Sequence, residues 1–317
     1  MIRTHGLVKR YGRVIAVDGL DLDVHLGEIY GFLGPNGAGK TTTLMMLLGI
    51  VRPTAGEIVL FNEPYGPRRT DLRRRIGVVP EKHPRGVWQW MTAREYLEMF
   101  AELFEVAAAG RRIEVLLEKT GLAAVADRRV RELSHGTLQK LSIVRALLPD
   151  PDLLLLDEPI SGLDPIGIKQ VRDLIVSEKR EGRTIFISSH QLSEMERICD
   201  RAAILVRGRL VAEDAMRELL ARAAPEREIH VELEQAAAGA AEALSDLPFV
   251  TDASWRGSTI VVRVSKEGDH RRAIAERLIA RGLVPLAIVE RAPTLEEAFI
   301  TITQENVGRL AGEGASR

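Results

Sequence analysis

The chain has 317 residues, too many for one ordinary domain and enough for two, one of them large. Its 44 Lys and Arg against 45 Asp and Glu leave a formal net charge of -1, which excludes a global field drawing the whole chain onto nucleic acid or anionic lipid. One cysteine, Cys199, excludes an internal disulfide and a cysteine zinc site, reads as a buried small apolar residue, and suits a reducing cytosol.

In chain order, MIRTHGLVKRYGR lacks the apolar stretch and cleavage site of a signal peptide. From 1 to about 32, short runs such as VIAVDGLDLDV and EIYGFLG, broken by glycines, predict strands joined by turns. TTLMMLLGI predicts a helix ended by Gly49 and Pro53. It contains the longest apolar run, LMMLLGIV at 44–51, far short of the roughly 20 residues of a spanning helix. EIVLF at 57–61 and RIGVVP at 75–80 predict strands. Between 92 and 148 the period turns helical in AREYLEMFAELF, RIEVLLEKTGL and LQKLSIVRALL, with Gly121 ending one helix. LLLLDEP at 153–159 and TIFISSH at 184–190 are short and apolar up to polar ends, as strands covered on both faces of a parallel sheet are. The first 220 or so residues therefore read as α/β.

MRELLARAAPER at 216–227 reads as a helix leading into a linker. Beyond it the pattern strand, helix, strand, strand, helix, strand is the βαββαβ order of a ferredoxin-like fold. Thr294 and Glu297 form a capping box for a last helix, and GRLAGEGASR reads as a frayed tail. The alanine cluster at 236–241 is the only biased segment.

Gly34–Thr41, GPNGAGKT, matches the phosphate-loop pattern between a predicted strand and helix. Glycines let successive N–H groups turn inward on a polyphosphate at the positive end of the following helix. Lys40 is expected to neutralise the β and γ phosphates, and the Thr41 hydroxyl to ligate Mg²⁺. At the end of LLLLDE, Asp157 suits Mg²⁺ and Glu158 suits a general base, with a helix-dipole carboxylate before Pro159 as the structural alternative for Glu158. In LSHGTLQK, Ser134 and Gly136 precede a helix whose first N–H groups can bind an anion, or Ser134 simply caps it.

With an aromatic in KRYGRV, the phosphate loop, VVPE, LSHGTLQK, LLLLDEP, SGLD and SSH in this order, residues 2–225 resemble the ATP-binding subunit of an ABC transporter. The resemblance implies a P-loop NTPase cassette with a RecA-like core, a β subdomain and a helical subdomain at about 82–148. A small α+β ferredoxin-like domain at 226–304 and a tail at 305–317 complete the expected organisation. The nucleotide-binding residues it implies are Tyr11, stacking on adenine, with Gly34, Pro35, Asn36, Gly37, Ala38, Gly39, Lys40, Thr41 and Thr42. Mg²⁺ falls to Thr41, Glu81 and Asp157. Catalysis falls to Glu158 and to His190, which contacts the γ-phosphate and positions water. Ser134, Gly136 and Asp164 face the nucleotide of a second, head-to-tail copy. Three positions depart from the usual pattern: Glu81 stands for a glutamine, and His135 and Thr137 replace a glycine and the glutamine of LSGGQ.

The implied cofactors are ATP and Mg²⁺. The implied partners are a second ATP-binding subunit, giving a homodimer, and separate transmembrane permease subunits, which would hold the chain at the cytoplasmic face of the membrane. The C-terminal domain resembles accessory domains of exporter ATPases, whose work is dimerisation or regulation. Trp88 and Trp90, in KHPRGVWQWMTAREYL after Glu81, either border the groove that receives a permease helix or belong to the core of the helical insertion. The alternative class, a soluble ABC ATPase acting on ribosomes or nucleic acid, usually has two cassettes or a long coiled-coil insertion. The sequence has neither, and no nucleic-acid partner is expected.

Overall fold

A computed structural model describes residues 1–66, 68–81, 86–223, 227–235, 237, 239–265 and 268–314. Parts of three expectations lie outside them: Lys82–Arg85 of the segment after Glu81, 224–226 of the linker, and 315–317 of the tail; so do residues 236 and 238 of the alanine cluster. The chain divides into two compact units, Met1–Met216 and Arg217–Arg317.

The first unit runs β1 (Ile2–Tyr11), β2 (Val14–Val24), β3 (Ile29–Leu33), α1 (Lys40–Leu47), β4 (Ala55–Leu60), β5 (Glu63–Pro64), α2 (Thr70–Arg73) and β6 (Ile76–Val79). A helical stretch follows, α3 (Ala93–Leu103), α4 (Ala109–Lys119) and α5 (His135–Leu147). The unit closes with β7 (Leu153–Asp157), α6 (Pro165–Arg180), β8 (Thr184–Ser189), α7 (Leu192–Glu196), β9 (Arg201–Val206) and β10 (Arg209–Ala215). Strands β2-β1-β4-β5 form an antiparallel sheet, and β10-β9-β3-β8-β7-β6 a second sheet that is parallel from β9 to β6. Every residue of β3, β7 and β8 is buried, which is why these strands read as unbroken apolar runs. Tyr30, Phe32 and Phe186 fill the interior between layers, with the Phe32 and Phe186 rings 5.1 Å apart.

Register is what builds the site. Leu33 pairs with Ser189, Asp157 with Ser188 and Val79 with Leu156, so β3, β8, β7 and β6 finish along one edge. The residues just beyond those ends are Gly34, His190, Glu158 and Glu81. Ligands of open parallel sheets bind at this carboxyl edge.

The helical stretch is held by an apolar stripe and a cap. Ala93, Tyr96, Leu97 and Ala101 of α3 are buried at helical spacing, and Thr92 and Glu95 form a capping box. The long α6 is not among the elements expected from the sequence. Its start signals are present: Asp164 caps it by accepting from the Gly167 amide at 2.8 Å, and Pro165 occupies its first turn.

From α8 (Met216–Ala223), whose first residue closes the first unit, the second unit runs through β11 (Arg227–Leu233), α9 (Ala240–Ser245), β12 (Val250–Arg256), β13 (Thr259–Val264), α10 (Arg271–Ile279), β14 (Pro285–Arg291) and α11 (Leu295–Gly314). The sheet order is β12-β13-β11-β14 with antiparallel neighbours, the ferredoxin-like βαββαβ arrangement. Ile229, Val231, Ile260, Val262, Leu244, Ile274 and Leu278 share its core. The Thr294–Glu297 capping box is present in both directions, at 3.3 and 2.9 Å. Two boundaries differ from expectation. The division falls after Met216 rather than at 225, and α11 continues to Gly314, so 305–314 is helix and not a frayed tail.

Candidate functional site

The loop between β3 and α1 turns because of its glycines. Gly39 has φ +107°, and a Cβ there would meet the Ala16 carbonyl at 2.4 Å; Gly34 is confined in the same way against Leu205 O. The loop opens into a cleft of about 480 Å³, lined by Pro35–Thr42 with Ala16, Glu81, Glu158, Ser161 and His190. The strand register thus brings the expected phosphate loop, Glu81, Glu158 and His190 together.

Lys40 is buried, and its ammonium donates to Gly34 O at 2.6 Å and lies 3.5 Å from Glu158 Oε1. The other carboxylate oxygen of Glu158 faces His190. Its Oε2 is 2.9 Å from His190 Nδ1 and accepts from the His190 amide at 3.3 Å. Glu158 adopts φ +49°, a left-handed conformation unfavourable for a side-chain-bearing residue, held by its N–H donating to Ser188 O at 3.1 Å. A buried carboxylate between an ammonium and an imidazole can accept a proton at the cleft wall and pass it on.

Asp157 sits behind the loop. Burial pushes its carboxyl above the ordinary 3.8; hydrogen bonds from Ser188 and Thr41 oppose the rise, and the charges of Glu81 and Glu158 add to it. The Ser188 hydroxyl donates to Asp157 in a short bond. Among the described residues no three acidic or imidazole side chains are gathered as a ready metal cluster; the oxygen donors that do meet are the Asp157 carboxylate and the Thr41 hydroxyl, hard ligands of the kind a divalent cation takes.

Other expected residues lie apart from this cleft. Tyr11 is 48% exposed at the end of β1, with Lys9 Nζ 4.9 Å from its ring, and it does not line the cleft. Ser134, Gly136 and Asp164 do not line it either. Ser134 caps α5, accepting from the Thr137 amide at 3.2 Å, and Asp164 caps α6. His135 is exposed, with Nε2 3.2 Å from Ser161 O. Cys199 is buried, and burial pushes its thiol far up, as for an inert core residue.

Ala16, Ser161 and Ser188 were not foreseen as site residues. Ser161 lies in SGLD, three residues before Asp164, and Ser188 in FISS. Their roles come from strand pairing and loop closure, which leave no local pattern.

A further groove of about 280 Å³ is lined by Ile76, Val78, Phe100, Leu103, Phe104 and Arg145 among others. Arg145, nine-tenths buried there, donates to Tyr96 OH at 3.0 Å and Val78 O at 3.1 Å. Trp88 and Trp90 are outside it: Trp90 is exposed, with the Arg131 guanidinium 4.0 Å over its ring.

Comparison with known proteins decides the family. The profile described as ABC transporter matches residues 17–161. A Nod factor export ATP-binding protein I of Burkholderia pseudomallei is 39% identical over 93% of this chain and 94% of its own length. The chain belongs to the ABC transporter ATP-binding protein family. The bacitracin transport ATP-binding protein BcrA of Bacillus licheniformis is 46% identical over 67% of this chain and 69% of its own. An uncharacterised ABC transporter ATP-binding protein of Nostoc is also 46% identical, over 66% of this chain, which spans 62% of that relative. Among solved structures, the dimeric bacterial ABC transporter cassette MJ0796 matches with a TM-score of 0.62 and 26% identity, over 68% of this chain and 99% of that one. As an ABC ATP-binding subunit the chain is an ATPase, and its phosphate loop, Asp157 and Glu158 are the parts of this cassette that meet at the carboxyl edge. No helix among the described residues is long and apolar enough to cross a membrane.

Proposed function

We propose that two copies of the chain close head to tail over two ATP molecules and that this closure powers export through separate permease subunits at the cytoplasmic face of the membrane. The observation that carries the reading is a division of labour within one chain. The phosphate loop, Glu158 and His190 share a cleft, while the capped tip of α5, with Ser134 and Gly136, stands outside it. A second helix N-terminus suited to an anion and not lining its own cleft is complementary to a nucleotide held by another copy. Asp164 caps the next helix, α6, and the exposed ring of Tyr11 is accessible to a base.

In this reading Lys40 binds the terminal phosphates, Glu158 accepts the proton of the attacking water, and His190 orients both Glu158 and the γ-phosphate. Thr41, Asp157 and Glu81 would hold Mg²⁺, which supplies charge neutralisation between the phosphates and these carboxylates. ATP favours the closed pair because each tip gains an anion, and hydrolysis removes that contact. Closure then has to reach the membrane. The groove beside α3, with Phe100, Leu103 and Phe104 around the buried Arg145, is the apolar surface on which a permease helix docks. Export as the direction follows the relatives named for bacitracin transport and Nod factor export.

Light scattering on Glu158→Gln tests the dimer. With Mg²⁺ and ATP its mass is expected to double, and adding Ser134→Glu is expected to return it to that of one chain. A Glu158→Gln chain that binds ATP and stays single contradicts the reading.

A further inference from the structure

The tip of α5 and the turn carrying Glu158 meet within one chain, through a residue where this sequence departs from the usual signature. His135 opens α5, and its ring lies against the loop after β7 with Nε2 3.2 Å from Ser161 O. A carbonyl oxygen only accepts, so the contact is a hydrogen bond when Nε2 carries the proton. The exposed ring lies beside Gly162, where an added Cβ would be at contact distance, 3.4 Å from Nε2. Ser161 in turn donates its amide to Glu158 O at 3.1 Å, closing the turn that begins at Glu158, and it lines the phosphate cleft. The second departure also orders the tip. The Thr137 hydroxyl is 2.8 Å from that of Ser134.

An unbroken run of contacts therefore leads from Glu158 through Ser161 and His135 to Ser134 and Gly136. We infer that His135 is a positioning residue coupling the two nucleotide sites: it ties the tip offered to the second copy to the Glu158–Ser161 turn of its own cleft. A glycine at this position offers no side chain to make that bond. The inference rests on the dimer reading above and adds a route by which a nucleotide in one cleft changes how well the same chain grips its neighbour's.

The test is steady-state hydrolysis against ATP concentration for the full chain, His135→Ala, His135→Gly and His135→Gln, with thermal melting as the folding control. The wild type is expected to show a Hill coefficient above one. The Ala and Gly variants are expected to approach one, and their half-saturating ATP to rise about three- to tenfold, the loss of a single hydrogen bond expressed as a ratio. Gln, whose amide can donate to the same carbonyl, is expected to restore most of the cooperativity. The inference is overturned by a wild-type coefficient of one, by an Ala variant that keeps wild-type cooperativity, or by a Gln variant as impaired as Ala at equal melting temperature. If all variants melt well below wild type, Gln included, the ring is a packing element and the inference is again wrong. The dimer reading fails separately, when Glu158→Gln does not double in mass on ATP.

Discussion

Glu158 in the first unit and Glu290 in the second are both carboxylates beside a cation, yet they sit in opposite circumstances. Glu290 lies on a sheet strand, about 30% exposed, and the Arg227 guanidinium holds its carboxyl below the usual range. Such a half-exposed pair follows from ordinary surface chemistry and contributes little. Glu158 is buried against Lys40, has left-handed backbone, and shares its surroundings with a second buried acid, Asp157, whose carboxyl burial drives up. Folding alone selects against each of these features. Their concentration at one strand edge, and the conventional packing of the second unit's core, locate the chemistry in the first unit.

That contrast can be broken in graded steps. The largest effect is expected at Glu158: replacement by Gln should lower the rate of phosphate release about 10²- to 10⁴-fold while ATP affinity persists. Wild-type turnover in that variant would make Glu158 a structural carboxylate like Glu290. Next is Ile260, fully buried in the second unit's core, where Ala should cost about 2–5 kcal/mol. Hydrogen exchange should quicken in β11 and β13, while nucleotide affinity in the first unit holds. A loss of affinity would dissolve the separation between the units.

The smallest effect concerns Asp157. Its folded carboxyl binds a proton more tightly than an unfolded one, so the group's contribution to stability falls as pH climbs from about 3.8 through the raised value. Asp157→Asn should therefore raise stability at pH 7, by about 1 kcal/mol in chelator without nucleotide, at the expense of activity. An unchanged or lower melting temperature would place Asp157 among ordinary structural acids.

Much of this was legible in the sequence, for reasons that vary by residue. Gly34–Thr41 and the Asp157–Glu158 pair are contiguous, and their chemistry demands residue types that seldom coincide. The βαββαβ unit was legible because apolar periodicity switches between two and 3.6 along it. Ser188, Ser161 and Ala16 were not, since only the pairing of β7 with β8 and the fold of the glycine loop bring them to the site. Trp88 and Trp90 stand out by composition, whereas the apolar groove beside α3 is lined by Phe100, Leu103 and Phe104, whose spacing along one helix carries no comparable signal. Gly308, Gly312 and Gly314 disguised the end of α11 as a tail, and the alanine-rich 216–227 hid the boundary after Met216.

Complementation between two disabled chains addresses the composite site most directly. Lys40→Ala removes the phosphate ligand from a chain's own cleft, and Ser134→Glu sets a like charge against the neighbour's phosphate; each alone should be inactive. A mixed pair retains one site with an intact loop from one chain and an intact tip from the other. Mixing the two should thus restore hydrolysis, up to about a quarter of wild type when half the pairs are mixed. No recovery, from variants that are folded and exchange partners, would contradict the account.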